Sequence, residues 1–145
     1  MTYTFSLHSQ AQLAKAHPSL IKICYQLIKL HDFKVNETYR DAKAQEAAFK
    51  IGATKLHYPH GKHNQLPSIA MDLFPFVGGL FIGFPDKADS KEIYLQKCAQ
   101  WAYFGGLALG TAASLGIPIR WGHDWNTDNN LFDQSFIDAP HFELL

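Results

Sequence analysis

The chain has 145 residues, about the length of one domain, and 47% of them are hydrophobic. A chain of this size can bury roughly two-thirds of the surface that it exposes when unfolded. Thirteen basic residues balance thirteen acidic ones, for a formal net charge of zero, so the sequence lacks the basic surface that nucleic-acid binding requires. We expect one domain over residues 1–145 and no nucleic-acid partner.

The cysteines and the N-terminus exclude two further classes of protein. Cys24 and Cys98 are the only cysteines, and both lie in apolar helical patterns, so buried free thiols are a better interpretation than a disulfide framework. The first residues, MTYTFSLHSQAQLAK, lack a basic head followed by an apolar stretch and do not resemble a secretory signal. We therefore expect synthesis in the cytoplasm.

Two helices are predicted at the start of the chain. Residues 9–16 favour a short helix that ends before Pro18, because the residue preceding a proline is pushed out of helical geometry. A second helix follows, since apolar residues recur there at helical spacing and form one stripe. The stripe comprises Leu20, Ile23, Cys24, Leu27 and Ile28.

A strand and a third helix come next. The alternation of residues 34–39 predicts a strand, and Arg40 marks its end. Asp41 is suited to cap a helix over residues 42–51, which is rich in good helix formers, and Gly52 is suited to end that helix.

A long loop and an apolar strand with one carboxylate occupy the middle of the chain. Residues 53–67 predict an ordered loop, and loops of this length are often functional. The strand predicted over residues 68–76 places Asp72 among apolar neighbours, where an ionised carboxylate costs several kcal/mol unless a cation or strong donors meet it. A turn-capping role for Asp72 is the alternative. The nearest candidate partners are the loop histidines His57, His60 and His63.

The longest predicted helix covers residues 90–115. Gly78 and Gly79 predict a hairpin turn before it, and Asp89 with Glu92 has the spacing of a capping box. Glycine inside a helix costs about 1 kcal/mol relative to alanine, so three glycines indicate that another element packs tightly against this helix. They are Gly105, Gly106 and Gly110.

The same helix raises the question of a membrane span. No charged residue occurs from Cys98 to Ile119, a stretch close to the ~20 residues that a spanning helix needs. Glycine and alanine dominate this stretch, however, and its polar residues weaken the hydrophobic signal further. A helix buried in a protein core is therefore the better interpretation.

The C-terminal third predicts a strand over residues 117–122, a turn-rich segment over 125–133 and a last short strand over 141–145. The fold class that follows is α+β. We expect a small, mainly antiparallel sheet that carries Arg40, Asp72 and His141 on one face, with the helices packed on the other.

Several of these residues suit a catalytic zinc site, which takes three protein ligands and leaves a fourth position to water. His63 and Asp72 are two candidate ligands, and His141 in the segment DAPHFEL is a third. Asp138 lies three residues before His141, and the turn that Pro140 favours can aim both side chains at one point. Because single histidines are more often surface or core residues, spacing alone leaves zinc binding and structural roles both open.

A family resemblance is carried by three separated blocks, GKHNQLPSIAMDLFP, RWGHDW and DAPHFEL. Together they resemble the zinc peptidoglycan peptidases of the D-Ala-D-Ala carboxypeptidase and L-alanyl-D-glutamate endopeptidase family, and most closely the short phage endolysins. ETYR and Gln45 are similar to the arginine-bearing strand and following helix of that family. The resemblance extends over residues 16–144 and implies the hedgehog/D-Ala-D-Ala peptidase-like fold.

The resemblance also implies roles for individual residues. Zinc would be held by His63, Asp72 and His141, and Asp138 would take a proton from the attacking water and deliver it to the leaving amine. Arg40 would bind the developing oxyanion or a substrate carboxylate. A structural ion pair is the alternative role for Arg40.

Two positions depart from the family pattern. Gly61 replaces a serine, and His123 stands where glycine is usual. We expect Trp121, Asp124 and Trp125 to bind substrate, shape the cleft wall or hold a ligand histidine by a hydrogen bond, with pure packing as the alternative. His57, His60 and His123 are not expected to bind the metal.

The function implied is a zinc metallopeptidase that cleaves the stem peptide of peptidoglycan, as a phage or prophage endolysin of the L-alanyl-D-glutamate type. It would act as a monomer on the cell wall after release from the host cytoplasm, without a separate wall-binding domain or stable membrane insertion. The alternatives are a D,D-carboxypeptidase or dipeptidase on the same fold, a non-catalytic zinc-stabilised binding domain, and a small membrane protein built on residues 98–119.

Overall fold

This computed structural model describes residues 2–145, which contain four α-helices and five strands. A single 3₁₀ turn, Lys62–Asn64, interrupts the loop between the third helix and the second strand. The elements in chain order are α1 (Leu7–Leu13), α2 (Pro18–Leu27), β1 (Phe33–Glu37), α3 (Ala42–Lys50), β2 (Ala70–Val77), β3 (Leu80–Phe81), α4 (Lys91–Ser114), β4 (Ile119–Trp121) and β5 (His141–Leu144).

All strand pairs of the sheet are antiparallel. The main path has the order β1-β2-β5-β4, and the short β3 pairs with β2 as a hairpin. The α+β class and the antiparallel sheet are therefore confirmed. Such a sheet can pack one face against a core and leave the other free for a site.

The alternation of side chains along β2 separates these two faces. Met71 and Leu73 are fully buried and join the hydrophobic core with residues of α1, α2 and α4. Asp72 and Phe74 have the opposite parity, so they point to the other face of the pleat, where they line a cavity. Helices α1, α2 and α4 thus cover one face of the sheet, as predicted, whereas Gln45, the buried residue of α3, lines the cavity on the other face.

Two helix N-termini test the capping predictions. Asp41 caps α3, since its carboxylate accepts a hydrogen bond from the Ala44 amide at 2.8 Å. For α4 the prediction of Asp89 is wrong, because Ser90 is the N-cap and its hydroxyl accepts from the Ile93 amide at 3.2 Å. The Asp89 carboxylate instead binds the Lys97 ammonium at 2.8 Å.

One face of helix α4 packs into the core. Its side chains Trp101, Phe104 and Ala108 are almost completely buried, and it packs against α2 and β4. None of the helices within residues 2–145 combines the length and hydropathy that crossing a bilayer requires. Both cysteines are free: Cys24 is buried, as predicted, whereas Cys98 is only partly buried.

The glycines of α4 differ in their surroundings. A Cβ atom at Gly105 would overlap the ring of Trp121 on β4, with the ring atom Cε2 only 2.7 Å away. At Gly106 and Gly110 a Cβ atom would meet nothing within 4 Å. The prediction of tight packing is therefore confirmed at Gly105 and wrong at the other two positions.

This difference predicts opposite effects of two matched substitutions. Gly105→Ala should lower the free energy of unfolding by about 1–3 kcal/mol, because the core must shift to admit a methyl group beside Trp121. Gly106→Ala, at the adjacent exposed position, should raise it by up to about 1 kcal/mol, because alanine favours the helix. Urea unfolding followed by circular dichroism would measure both values. Equal changes in the two variants would contradict the packing seen at Gly105.

Candidate metal centre and active-site cleft

Three potential ligand atoms converge on the free face of the sheet. Asp72 on β2 lies directly opposite His141 on β5, so both side chains project from the same face, and His63 reaches them from the 3₁₀ turn. The His63 Nε2 atom lies 3.1 Å from His141 Nδ1 and 3.3 Å from Asp72 Oδ1. His141 Nδ1 lies 3.4 Å from the same carboxylate oxygen.

Hydrogen bonds fix which nitrogen of each histidine faces the other ligands. His63 Nδ1 lies 2.6 Å from the Thr38 carbonyl oxygen, and His141 Nε2 lies 2.7 Å from a Glu143 carboxylate oxygen. Both partners are acceptors, so these two nitrogens carry the protons. The lone pairs of His63 Nε2 and His141 Nδ1 are then directed towards Asp72.

This donor set fits a zinc ion. Zinc binds histidine nitrogen and carboxylate oxygen at about 2.0–2.2 Å in a tetrahedral arrangement, which places neighbouring ligand atoms about 3.3–3.6 Å apart. The three observed separations, 3.1 to 3.4 Å, are close to this range. Asp72 Oδ1 is also buried without a hydrogen-bond partner among the described residues, and such an oxygen is costly unless a cation meets it.

The electrostatics of the cluster also favour a cation. Without a metal, burial opposes ionisation of Asp72, but attraction to the protonated forms of His63 and His141 holds the pKa of Asp72 well below its usual range. Burial likewise opposes a charge on His141, yet the carboxylates of Asp72 and Glu143 raise the pKa of His141 to about 9. A metal ion would take the place of the proton that the metal-free cluster holds at the nitrogens facing Asp72. The carboxylates thus stabilise positive charge at this position.

Asp138 lies beside the cluster on the turn that leads into β5. Its amide donates to the Gly122 carbonyl at 2.7 Å, and its carbonyl accepts from the His141 amide at 3.0 Å. Burial and the nearby Asp72 charge raise the pKa of Asp138 to about 6. Only His63, Asp72 and His141 have ligand atoms mutually within 4.8 Å among the described residues, so Asp138 adjoins the ligand set without belonging to it.

Arg40 follows β1 instead of lying on it, and it connects the loop to the cluster. Its amide donates to the His63 carbonyl at 2.8 Å. The guanidinium forms an ion pair with Glu37 and donates from Nη1 to the Gln45 side chain at 3.1 Å. Its Nη2 lies 3.8 Å from Asp72 Oδ2, so the structural ion pair coexists with a position at the edge of the cluster.

Two buried amides hold the His63 loop in place. The Gln45 side chain donates to the Leu56 carbonyl at 2.7 Å, and the Asn64 side chain donates to the Arg40 carbonyl at 2.9 Å. The side-chain oxygen Oδ1 of Asn64 accepts from the Gly61 amide at 2.8 Å. A Cβ atom at Gly61 would lie 2.8 Å from that same oxygen, so glycine fits this contact closely.

A cleft of about 690 Å³ opens above the cluster. Its walls contain the three potential ligands and Asp138. Four cationic side chains also line it, namely Arg40, Lys55, Lys62 and Arg120. Four carboxylates line it as well, those of Asp72, Asp133, Asp138 and Glu143, so the cleft offers charged partners of both signs to a peptide of this size.

The three residues expected to shape the cleft wall have different positions. Trp125 lines the cleft, and its ring lies 5.4 Å from that of His141. Trp121 does not line it, because the ring is buried against Phe142 at 6.0 Å and only its indole N–H reaches the Ala139 carbonyl. Asp124 is also absent from the wall, since its carboxylate accepts from the amides of the loop that follows.

The remaining histidines are dispersed. His57 pairs with Glu46 at 2.9 Å on the surface, and His60 lines the cleft. The His123 ring packs at a tilt against that of Trp121, with 5.0 Å between ring centres, and its Nδ1 atom has no hydrogen-bond partner among the described residues. None of the three has a ligand atom in the metal cluster.

Sequence reasoning missed Glu143, which holds His141. The other carboxylate oxygen of Glu143, Oε1, binds Arg120 on β4, whose Nε donates to it at 3.1 Å. Burial opposes ionisation of Glu143, but the bonds with His141 and Arg120 lower its pKa to about 2. The available signal was spacing, because residues two apart on a strand share a face.

Comparisons with known proteins agree with one another. The sequence matches the family described as phage L-alanyl-D-glutamate peptidase over residues 1–145. It is 27% identical to the L-alanyl-D-glutamate peptidase of Escherichia phage T5 over 150 aligned residues that cover both chains completely. The crystal structure of the Serratia marcescens L-Ala D-Glu endopeptidase ChiX has a similar fold, with a TM-score of 0.66, 21% identity, and coverage of 97% of this chain and 89% of that one.

Proposed function

Because the chain belongs to the family of phage L-alanyl-D-glutamate peptidases, we propose that it is a zinc-dependent endolysin that hydrolyses the L-alanyl-D-glutamate bond in the stem peptide of peptidoglycan. One observation carries the proposal: His63, Asp72 and His141 converge at ligand distances beside the partly buried carboxylate of Asp138. Every residue of this site comes from one chain, so a monomer suffices for activity.

Zinc would be held by His63 Nε2, Asp72 Oδ1 and His141 Nδ1. When bound, it polarises the scissile carbonyl and lowers the pKa of a bound water to about 7. The protein contributes the orientation of these atoms through Thr38 and Glu143. Such outer hydrogen bonds keep each histidine in the tautomer that a metal requires.

Asp138 would move the proton. As the oxygen of the attacking water bonds to the carbonyl carbon, its proton passes to the Asp138 carboxylate. When the C–N bond breaks, the same proton passes to the nitrogen of the D-glutamate that leaves. A pKa raised to about 6 suits both steps, because a group with a pKa near the working pH can accept and release a proton.

Arg40 would bind negative charge in the cleft. Its Nε and Nη1 atoms are engaged by Glu37 and Gln45, which fix the plane of the guanidinium. The remaining Nη2 is directed towards the cluster and can donate to the developing oxyanion or to a substrate carboxylate.

Digestion of purified peptidoglycan tests the proposal. The zinc-loaded protein should release fragments with new L-alanine C-termini and D-glutamate N-termini, identified by mass spectrometry. Exhaustive chelation should abolish release and added zinc should restore it, because the proposed mechanism needs a metal ion bound by His63, Asp72 and His141. Release of terminal D-alanine alone would instead show a D,D-carboxypeptidase. Full activity after verified metal removal would exclude the zinc mechanism.

A further inference from the structure

A second cavity, of about 370 Å³, lies next to the cleft. Asp138 and Pro140 line both cavities, so the turn before β5 borders both. The other lining residues are Phe84, Pro85, Tyr94, Cys98, Trp101, His123, Ile137 and Ala139. We call this space the aromatic cavity.

The aromatic cavity adjoins the cleft that contains His63, Asp72 and His141. Phe74 lines the cleft and contacts Phe84 of the aromatic cavity edge to face, with 5.6 Å between ring centres. Phe84 in turn stacks on Trp101 at 5.3 Å. Phe84 and Tyr94 remain 45% and 42% exposed, so these rings present an open apolar wall instead of a closed core.

The two cavities differ in charge. The cleft is lined by eight charged side chains, the cationic Arg40, Lys55, Lys62 and Arg120 and the acidic Asp72, Asp133, Asp138 and Glu143, whereas Asp138 is the one acidic or basic side chain besides His123 that lines the aromatic cavity among the described residues. The stem peptide has the same asymmetry about its L-alanyl-D-glutamate bond. On the D-glutamate side it carries free carboxylates, and on the L-alanine side an uncharged lactyl amide joins it to N-acetylmuramic acid.

We propose that the aromatic cavity binds the N-acetylmuramoyl group that precedes L-alanine, while the charged cleft, with its cationic side chains, binds the D-glutamate side. This inference rests on the proposed function, which places the scissile bond beside Asp138, a residue that lines both cavities. Aromatic rings suit the sugar because its C–H faces and its acetamide methyl gain dispersion contacts against them. The arrangement makes Tyr94 and Phe84 determinants of specificity for glycan-linked peptide.

Two soluble substrates test the inference: a free stem peptide, and the same peptide carrying N-acetylmuramic acid on its L-alanine. The wild-type protein should prefer the muramoyl peptide in kcat/KM by about tenfold, because apolar contact with a ring adds binding energy to that substrate alone. In Tyr94→Ser and Phe84→Ser the ratio of the two kcat/KM values should fall towards one. Tyr103→Ser is the matched control, because Tyr103 is also an exposed tyrosine of α4 and should leave the ratio unchanged.

The outcomes separate this inference from the function on which it rests. Cleavage of both substrates with equal kcat/KM by the wild type would overturn the inference and retain the peptidase. A wild-type ratio in Tyr94→Ser, with unfolding unchanged, would also overturn it. Equal losses on both substrates in Tyr94→Ser would assign the cavity to the shared peptide and contradict the inference. Failure to cleave either substrate or whole peptidoglycan would reject the proposed function itself.

Discussion

Replacing Asp138 by asparagine should lower kcat on peptidoglycan fragments by about 10²–10⁴-fold, the usual contribution of a general base. The substitution preserves size and removes no potential ligand, so the purified variant should still bind about one zinc per chain. Zinc content by atomic absorption and kcat from fragment release would be measured on the same sample. Asp86→Asn is the control, because it removes an exposed carboxylate outside the cleft.

Two results would contradict this role. Loss of zinc in Asp138→Asn would make Asp138 a ligand, and wild-type cleavage would place the base elsewhere.

The pH profile gives an independent check of the role of Asp138. Asp138 must be ionised to accept a proton, so kcat/KM should fall as the pH drops below about 6, the raised pKa of this group. With zinc bound, the fall should begin at a somewhat lower pH, because a nearby cation lowers the pKa of a carboxyl group.

His141→Ala should behave differently, because it removes a ligand. Zinc affinity and peptidase activity should fall together. Loss of a residue that only hydrogen-bonds to a ligand costs about 10–100-fold, and we expect a larger loss here. Glu143→Gln is the graded comparison, since it keeps His141 as a ligand while it weakens the bond that orients its ring and the ion pair with Arg120. Competition with a zinc chelator would rank the affinities as wild type, Glu143→Gln, then His141→Ala. Wild-type zinc affinity in His141→Ala would remove His141 from the ligand set.

Local patterns were sufficient for much of the fold. Asp41 caps α3 as predicted because the bond is made to an amide three residues away. The alternation of residues 70–74 placed Asp72 on the face opposite the core. Where local signals competed, prediction was less exact: Ser90 takes the extended backbone of an N-cap at α4, while the Asp89 carboxylate binds Lys97.

The candidate site divides in the same way. The sequence alone, through its resemblance to a family, nominated His63, Asp72, His141 and Asp138, and the structure brings these residues together. The sequence could not show that Trp121 turns into the core, because that position depends on the contact with Gly105 of helix α4.

The sequence by itself therefore determined the secondary-structure pattern, the chemical types of the site and their order along the chain, since these depend on nearby residues. Only the tertiary structure decided that Arg120 and Glu143 support His141, because their contact follows from the register of β4 on β5. It also decided that Asp138 lines both a charged cleft and an aromatic cavity. Register and cavities arise from contacts between segments far apart in sequence, and no local spacing encodes them.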